Sequence, residues 1–345
     1  MEKTILTGLL PEEISALLPR VKEKYRGVQI FRWVHERYAE TFDEMTNLPK
    51  NVRVKLSETF SIGALQVVDI QSSEDDSTEK YLFSCSDGNR IESVVIRDDN
   101  RTTICISSQV GCRMGCAFCR TGSMGFTRNL TAGEIVDQLI HIRRQLRARN
   151  DDITNIVFMG MGEPLDNLDN VIRAITIINM ETGLGIGQRK VTVSTCGITP
   201  EIRRLSAEFR RIGLAISLNA PDGPLRSELM PINRKFPLNN LLGAALDYTR
   251  VTKRRITFEY ILIAGVNDSP THARKLRKIA ARIPSKVNLI AFNEFDGCPY
   301  NRPSEEVIEN FQRLLYEGNI TAIIRKSKGS DILAACGQLA SGKKN

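Results

Sequence analysis

Beyond about residue 100 the chain alternates short apolar runs with longer amphipathic stretches. TTICIS precedes a helical pattern from Thr131, NIVFMG one near Asn170, KVTVST one from Pro200, and LAISLN one over 239–252. ITFEYILI then leads to a helix from about Pro270, VNLIAF to one over 304–316, and TAIIRK closes the series. The runs are rich in Val, Ile and Phe, as in parallel strands covered by helices. Six or more such units predict an α/β fold, a partial (β/α)6 barrel over residues 99–345, with its site where strands end.

The first hundred residues follow other periods. Residues 1–62 read as a small helical domain built from PEEISALLPRVKEKY, QIFRWVHERY and MTNLPKNVRVKLSETF, with Ile30, Phe31, Val34 and Tyr38 at helical spacing and prolines as punctuation. Residues 63–98 read as a short β extension or linker. LQVVDIQ is followed by EKYLFSCSDGNRIESVVIRDD, where Asp87-Gly88 marks a tight turn between two alternating runs.

Composition narrows the setting. With 41% hydrophobic residues in 345, the chain can bury one large core with room for a companion domain. No apolar stretch is long enough for a membrane span, and acids stand where a signal peptide would be apolar, so a cytoplasmic location is expected. Thiols stay reduced there, so the eight cysteines read as ligands, catalysts or core filler instead of disulfides. The three histidines, His35, His141 and His272, leave little for His-based catalysis. A formal charge of +8 suits a polyanion such as RNA, though many basic proteins bind none. Lys22, Lys24, Arg26, Arg32, Lys50, Arg53 and Lys55 near the start, and Arg325, Lys326, Lys328, Lys343 and Lys344 near the end, are either phosphate-facing or ordinary solvated charge.

The densest chemistry is VGCRMGCAFCRTGSMGF, which crowds Cys112, Cys116 and Cys119 onto the loop after a strand. A structural zinc site takes four ligands, and no fourth Cys or His lies at the usual local spacing; Cys105 sits inside the preceding apolar run. The plant ferredoxin spacing also differs. Three cysteines on a four-iron cluster would leave one iron open to chelate the amino and carboxylate groups of a methionine-derived ligand.

In this C-x3-C-x2-C motif, with Phe118 before the third cysteine and MGMGEP at 159–164, the sequence resembles the radical S-adenosylmethionine enzymes. The resemblance implies a [4Fe-4S] cluster on Cys112, Cys116 and Cys119, with Gly162 and Glu163 beside the bound S-adenosylmethionine. It narrows to the RlmN/Cfr family of RNA adenine methyltransferases, most like the RlmN branch. FDEMTNLP, CISSQVGC, GFTRNLTAGEI, MGMGEPLDN, VTVSTCGI, AISLNAPD, MPINRKFPL, GVNDS, NLIAFNEF and RKSKGSDILAACGQLA carry that resemblance over nearly the whole chain.

What the family implies is specific. Cys336 accepts a methyl group from one S-adenosylmethionine. A 5′-deoxyadenosyl radical from a second then takes hydrogen from the methyl thioether, and the carbon radical adds to adenine. Cys105 resolves the adduct through a transient disulfide with Cys336, and Glu92 accepts a proton. Ser194, Ser217, Leu218, Asn219 and Asn293 match positions that contact S-adenosylmethionine. Asn219 stands where the family more often has histidine, and Arg120 where it more often has Ser or Gln.

The implied substrates are 23S rRNA and tRNA, methylated at carbon 2 of adenosine, with a reducing partner such as flavodoxin and a monomeric state. Methylation at carbon 8 is the alternative within the family. Radical activation of a glycyl-radical protein, or RNA binding around a structural metal, are alternatives of other classes. By residue character alone, Cys105 would be a small core residue, Cys336 helix-end filler and Glu92 a solvent-face strand residue. Cys85, Cys196 and Cys298 read as structural.

Overall fold

The computed structural model describes residues 3–18, 25–75 and 77–340. Lys22, Lys24, Lys343 and Lys344, expected to face phosphate, lie outside the described residues. The helical start contains α1 (Pro11–Leu17), α2 (Tyr25–His35) and α3 (Lys50–Thr59). The sequence pattern had carried the first helix on to Tyr25. It ends at Leu17 because Leu18 precedes a proline and turns extended, at φ −79° and ψ 112°. The second helix begins at Tyr25, earlier than its apolar stripe suggested.

Three antiparallel strands follow: β1 (Leu65–Ser72), β2 (Thr78–Cys85) and β3 (Arg90–Asp98). Gly88, at φ 77°, makes the predicted Asp-Gly turn, with its N–H donating to Cys85 O at 2.9 Å. β3 then pairs with β4 (Arg101–Cys105), so the extension continues the barrel sheet instead of standing apart. A short ribbon of β5 (Gln109–Gly111) and β6 (Phe126–Asn129) brackets the three-cysteine loop.

From there strands and helices alternate as the pattern predicts. In chain order they are α4 (Ala132–Ala148), β7 (Asn155–Phe158), α5 (Leu168–Asn179), β8 (Val191–Thr195), α6 (Thr199–Glu208), β9 (Gly213–Ser217), α7 (Gly223–Leu229) and α8 (Leu238–Thr252). Then come β10 (Ile256–Leu262), α9 (Pro270–Ala280), β11 (Ser285–Ala291), α10 (Glu305–Tyr316) and β12 (Ala322–Arg325). Helix starts fall where capping residues stand. Thr131 Oγ1 accepts from Glu134 N while Glu134 reaches back to Thr131 N, a reciprocal cap worth about 1 kcal/mol.

One ten-stranded sheet runs β12-β11-β10-β9-β8-β7-β4-β3-β2-β1, and β4 with β7 through β12 pair in parallel. Its two edges do not meet, so the barrel is partial. Side chains alternate between faces. Ile156, Phe158, Val193, Ile216, Phe258, Tyr260 and Leu289 are fully or almost fully buried under the helices. The intervening positions, among them Cys105, Ser194, Ser217, Glu259 and Asn288, take the inner face. The helical start is fastened to α4: Thr7 Oγ1 donates to Gly133 O at 3.2 Å, and Ala64 N and Leu65 N donate to Asp137 Oδ2 at 2.7 and 2.8 Å. No described helix is long and apolar enough to cross a membrane.

Candidate active site

The three-cysteine loop is held in an apolar nest of its own. Cys112, Met114 and Phe118 are buried with Cys196, Ala220, Leu229, Met230, Ile263 and Phe292, and Cys116 and Cys119 pack against that cluster. Burial pushes the Cys112 thiol up to about 12 and the Cys116 thiol well above its usual range, and neighbouring thiols reinforce both shifts. Such thiols gain from giving their protons up to a metal. Among the described residues no three His, Cys, Asp or Glu side chains converge as ligands of a single ion. The three cysteines offer three thiolates and no fourth local ligand, a set that fits three irons of a [4Fe-4S] cluster.

Beside it lies the glycine-rich turn. Gly162 has φ 100°, and a Cβ there would fall 2.5 Å from Gln109 Cβ, so only glycine fits. Glu163 is buried; its carboxylate accepts from Cys196 N at 2.7 Å and Leu165 N at 3.0 Å. Burial raises its pKa, with the two N–H groups working the other way.

The strand ends bring the other predicted residues alongside. Ser194 is the penultimate residue of β8 and Ser217 the last of β9, with Ser217 in register with Glu259 and Glu259 with Asn288. Leu218 is fully buried, its N–H donating to Glu259 O at 3.0 Å and its carbonyl accepting from Arg226 Nε at 3.2 Å. Asn219, at φ 55°, is occupied by the fold: Oδ1 accepts from Ile261 N at 2.9 Å and Nδ2 reaches Met230 Sδ. An amide supplies both roles in a left-handed position that Asn tolerates.

Cys336 enters this face from the far end of the chain. Asn293, just past β11, donates from Nδ2 to Cys336 O at 3.1 Å, and Arg120 N donates to Gly337 O at 2.8 Å. Cys336 thus stands beside the cysteine loop. It is exposed, yet protein surrounds it closely enough that desolvation, then Glu259, pushes its thiol up to about 11. Cys105 is buried close by: burial first, and then the Cys336 thiol, raise its pKa. Neither thiol is in a disulfide.

Glu92 also belongs here, though not on a solvent face. Its Oε2 accepts from Ala340 N at 2.9 Å and its Oε1 lies 3.7 Å from Lys80 Nζ, which donates to Ile332 O at 2.6 Å. Burial raises the Glu92 pKa, and Lys80 partly offsets it. Two open hollows flank Arg120. One, of about 350 Å³, is lined by Glu294, Phe295, Cys298 and Tyr300; the other, of about 600 Å³, by Gln71, Ser72, Lys80, Asp331 and Ala340. Arg325 and Lys326 are exposed, whereas Lys328 is spent on Arg97 O and Asp98.

Three site neighbours were not legible in the sequence. Glu259 carries the barrel's inner charge: Asn288 Nδ2 donates to it at 3.0 Å, and burial lifts its pKa to about 7. Cys196 sits against the cysteine loop and Glu163. Arg226, on the short helix α7, is fully buried. Only a polar residue on the inward parity of an apolar strand, as in FEYI, signals the first.

A family model described as "Radical SAM superfamily" matches residues 106–276, and one described as "Ribosomal RNA large subunit methyltransferase N-terminal domain" matches residues 5–62. A "Dual-specificity RNA methyltransferase RlmN" of Pelobacter propionicus is 48% identical over 98% of this chain and 96% of its own. Its namesake in Syntrophus aciditrophicus is 50% identical over 99% and 98%. Among solved structures, a radical SAM methyltransferase from Sphaerobacter thermophilus superposes with a TM-score of 0.94 at 43% identity, over 97% of this chain and 99% of that one.

Proposed function

The chain belongs to the RlmN family of radical S-adenosylmethionine RNA methyltransferases, and we propose that its inner barrel face methylates carbon 2 of adenosine in 23S rRNA and of the adenosine beside the tRNA anticodon. The observation that carries this reading is the approach of Cys105 and Cys336, from opposite ends of the barrel sequence, next to the three-cysteine loop. Generating a radical needs only the loop. A second pair of thiols calls for a covalent carrier and a partner that releases it.

Carbons 2 and 8 of adenine are electrophilic amidine carbons, too poor as nucleophiles to take a methyl cation from a sulfonium. Cys336, as thiolate, takes that methyl by displacement and presents it as a thioether. Cys112, Cys116 and Cys119 hold the [4Fe-4S] cluster, with Gly162 and Glu163 beside the amino acid end of S-adenosylmethionine and Ser194 and Ser217 along it; this pair supplies, on one-electron reduction, the radical that activates the methyl. Two S-adenosylmethionine molecules serve each turnover, one for each role. After the carbon is joined to adenine, the adduct radical gives up one electron, which the cluster would take back. Once the ring proton is lost, Cys105 thiolate attacks Cys336 sulfur. The pair of the broken sulfur–carbon bond passes to the adenine-bound carbon, which takes up a proton to become methyl, and a dithiol reductant returns the disulfide to thiols. Glu92, anchored to the backbone that follows Cys336, accepts the ring proton. Leu218 and Asn219 shape the pocket through backbone and strand contacts, and Asn293 sets the height of the Cys336 loop.

Residues 1–62 serve as the RNA-docking unit, 63–98 as the extension that carries Glu92, and 99–345 as the catalytic barrel. A flavodoxin-like one-electron donor, a cytoplasmic setting and a monomer complete the reading. The test is anaerobic reaction of cluster-loaded enzyme with rRNA and tRNA, followed by nucleoside mass spectrometry. 2-Methyladenosine in both is expected. 8-Methyladenosine, or no methylated adenosine, overturns the assignment.

A further inference from the structure

Arg226 is 0% exposed, and none of its hydrogen bonds goes to a carboxylate. Its guanidinium spends four donors on neutral oxygens: Nε on Leu218 O at 3.2 Å, Nη2 on Cys196 O at 2.6 Å and Ser217 O at 3.2 Å, and Nη1 on Asn233 Oδ1 at 3.1 Å. Three of those oxygens belong to backbone at the C-terminal ends of β8 and β9, where Ser194 and Ser217 sit. The helix that carries Arg226 also touches the cysteine loop: Leu229 O, at the end of α7, accepts from Ala117 N at 2.9 Å, one residue past Cys116. Asp222 fixes the start of that helix by accepting from Leu225 N at 3.2 Å.

A buried charge without a counter-ion is costly unless something of opposite sign binds beside it. Here the guanidinium is hydrogen-bonded to Cys196 O at 2.6 Å, and the titratable groups that act on it are the thiols of Cys196 and then Cys116. As thiolates on a [4Fe-4S] cluster, Cys112, Cys116 and Cys119 make that centre anionic, and reduction makes it more so. We propose that Arg226 is a positioning residue with two separable jobs. Its fork locks the β8 and β9 ends that face S-adenosylmethionine, and its positive charge is the built-in counter-ion that eases reduction of the cluster. The inference rests on the cluster assignment above.

Two variants separate the jobs. Asn233→Asp sets a carboxylate on the guanidinium and cancels its charge while keeping the guanidinium's bonds to the strand ends; it gives up the Nδ2 bond to Gly223 O at 3.0 Å and turns the one to Ser227 Oγ at 2.7 Å into an accepted bond. Arg226→Lys keeps the charge and loses the fork. Cluster potential is read by redox titration with electron paramagnetic resonance, and S-adenosylmethionine binding by calorimetry on the loaded enzyme, after iron and sulfide analysis. Asn233→Asp is expected to lower the reduced-to-oxidised ratio about tenfold at fixed potential, equivalent to about 59 mV for one electron, with affinity within about twofold of the parent. Arg226→Lys is expected to leave the potential in place and weaken binding about tenfold. An unmoved potential in Asn233→Asp overturns the counter-ion role, and unchanged binding in Arg226→Lys overturns the fork. If Asn233→Asp fails to fold, Arg226→Gln replaces it and must show the same drop in ratio. Absence of iron and sulfide in the parent protein sinks the cluster reading itself, a result distinct from these.

Discussion

The two segments that bring thiols to the inner barrel face are held in opposite ways. Residues 112–119 sit in an apolar nest of buried side chains, and each fully buried Leu, Ile, Met or Phe there is worth roughly 1.5–3 kcal/mol. Residues 327–340 contain no helix or strand; Ala334 and Leu339 reach the main core, and the backbone between and around them is tied down by polar contacts from several elements: Lys80 to Ile332 O, Glu92 to Ala340 N, Asn293 to Cys336 O, Gln338 to Glu294 O and Thr121 to Leu339 O. Such bonds contribute only about 1 kcal/mol net each and can be exchanged for water singly. Gly329 and Gly337, at φ 67° and 86°, give that segment its bends. A radical source must stay fixed to the cofactor beside it. A carrier that first takes and then delivers a methyl group must shift, and breakable contacts permit that.

The sharpest break of the comparison is to delete a thiol from each side. Cys336→Ala is expected to lower RNA methylation by on the order of 10⁴-fold with iron and sulfide content unchanged, whereas Cys116→Ser loses the cluster as well. Equal iron loss in both would erase the distinction between source and carrier. Glu92→Gln keeps an acceptor for Ala340 N but removes the charge. A drop of about 100-fold in turnover, with loss of the acidic limb of the pH–rate profile, marks a proton acceptor; that limb lies above the usual carboxyl range because burial raises the Glu92 pKa. A drop below about tenfold with an unaltered profile leaves Glu92 only its anchoring role.

Glu259 tests the rigid side of the comparison through stability. Its folded pKa, raised from 4.5 to about 7, means that its contribution to stability is fully present below about pH 4.5 and lost as pH rises through 7. Glu259→Gln is therefore expected to flatten the stability–pH curve across that window, by up to about 3 kcal/mol at pH 8, in urea melts at several pH values. Parallel curves for parent and variant would contradict it. The mildest change is Lys80→Met, which releases Ile332 O and leaves Glu92 without its cation. Faster proteolytic cutting within 327–340 is expected, with turnover reduced less than about tenfold; unchanged cutting would mean that Lys80 does not restrain the segment.

Much of this was readable from residue order because it depends on local pattern. Strand–helix alternation, Asp87-Gly88, the helix start at Thr131 and the C-x3-C-x2-C loop each act over a few residues. The first helix was overextended because helical periodicity ran past Leu18, where the following proline decides the backbone. Glu92 looked solvent-facing by alternation in IESVV, yet β2 and the returning chain cover it. Asn219 matches a cofactor-contacting position, and only the packed strands show that its amide also accepts from Ile261 N.

The sequence by itself determined the parallel α/β fold, the place of the cysteine loop after a strand and, by resemblance, its radical chemistry, since those are written in short-range spacing. Only the tertiary structure decided that Glu259 and Asn288 share the inner face, and that Arg226 is buried among strand-end carbonyls. Such meetings depend on sheet register and on the path of an irregular segment across the barrel mouth. No local propensity encodes them; they follow from which distant surfaces the packed chain leaves side by side.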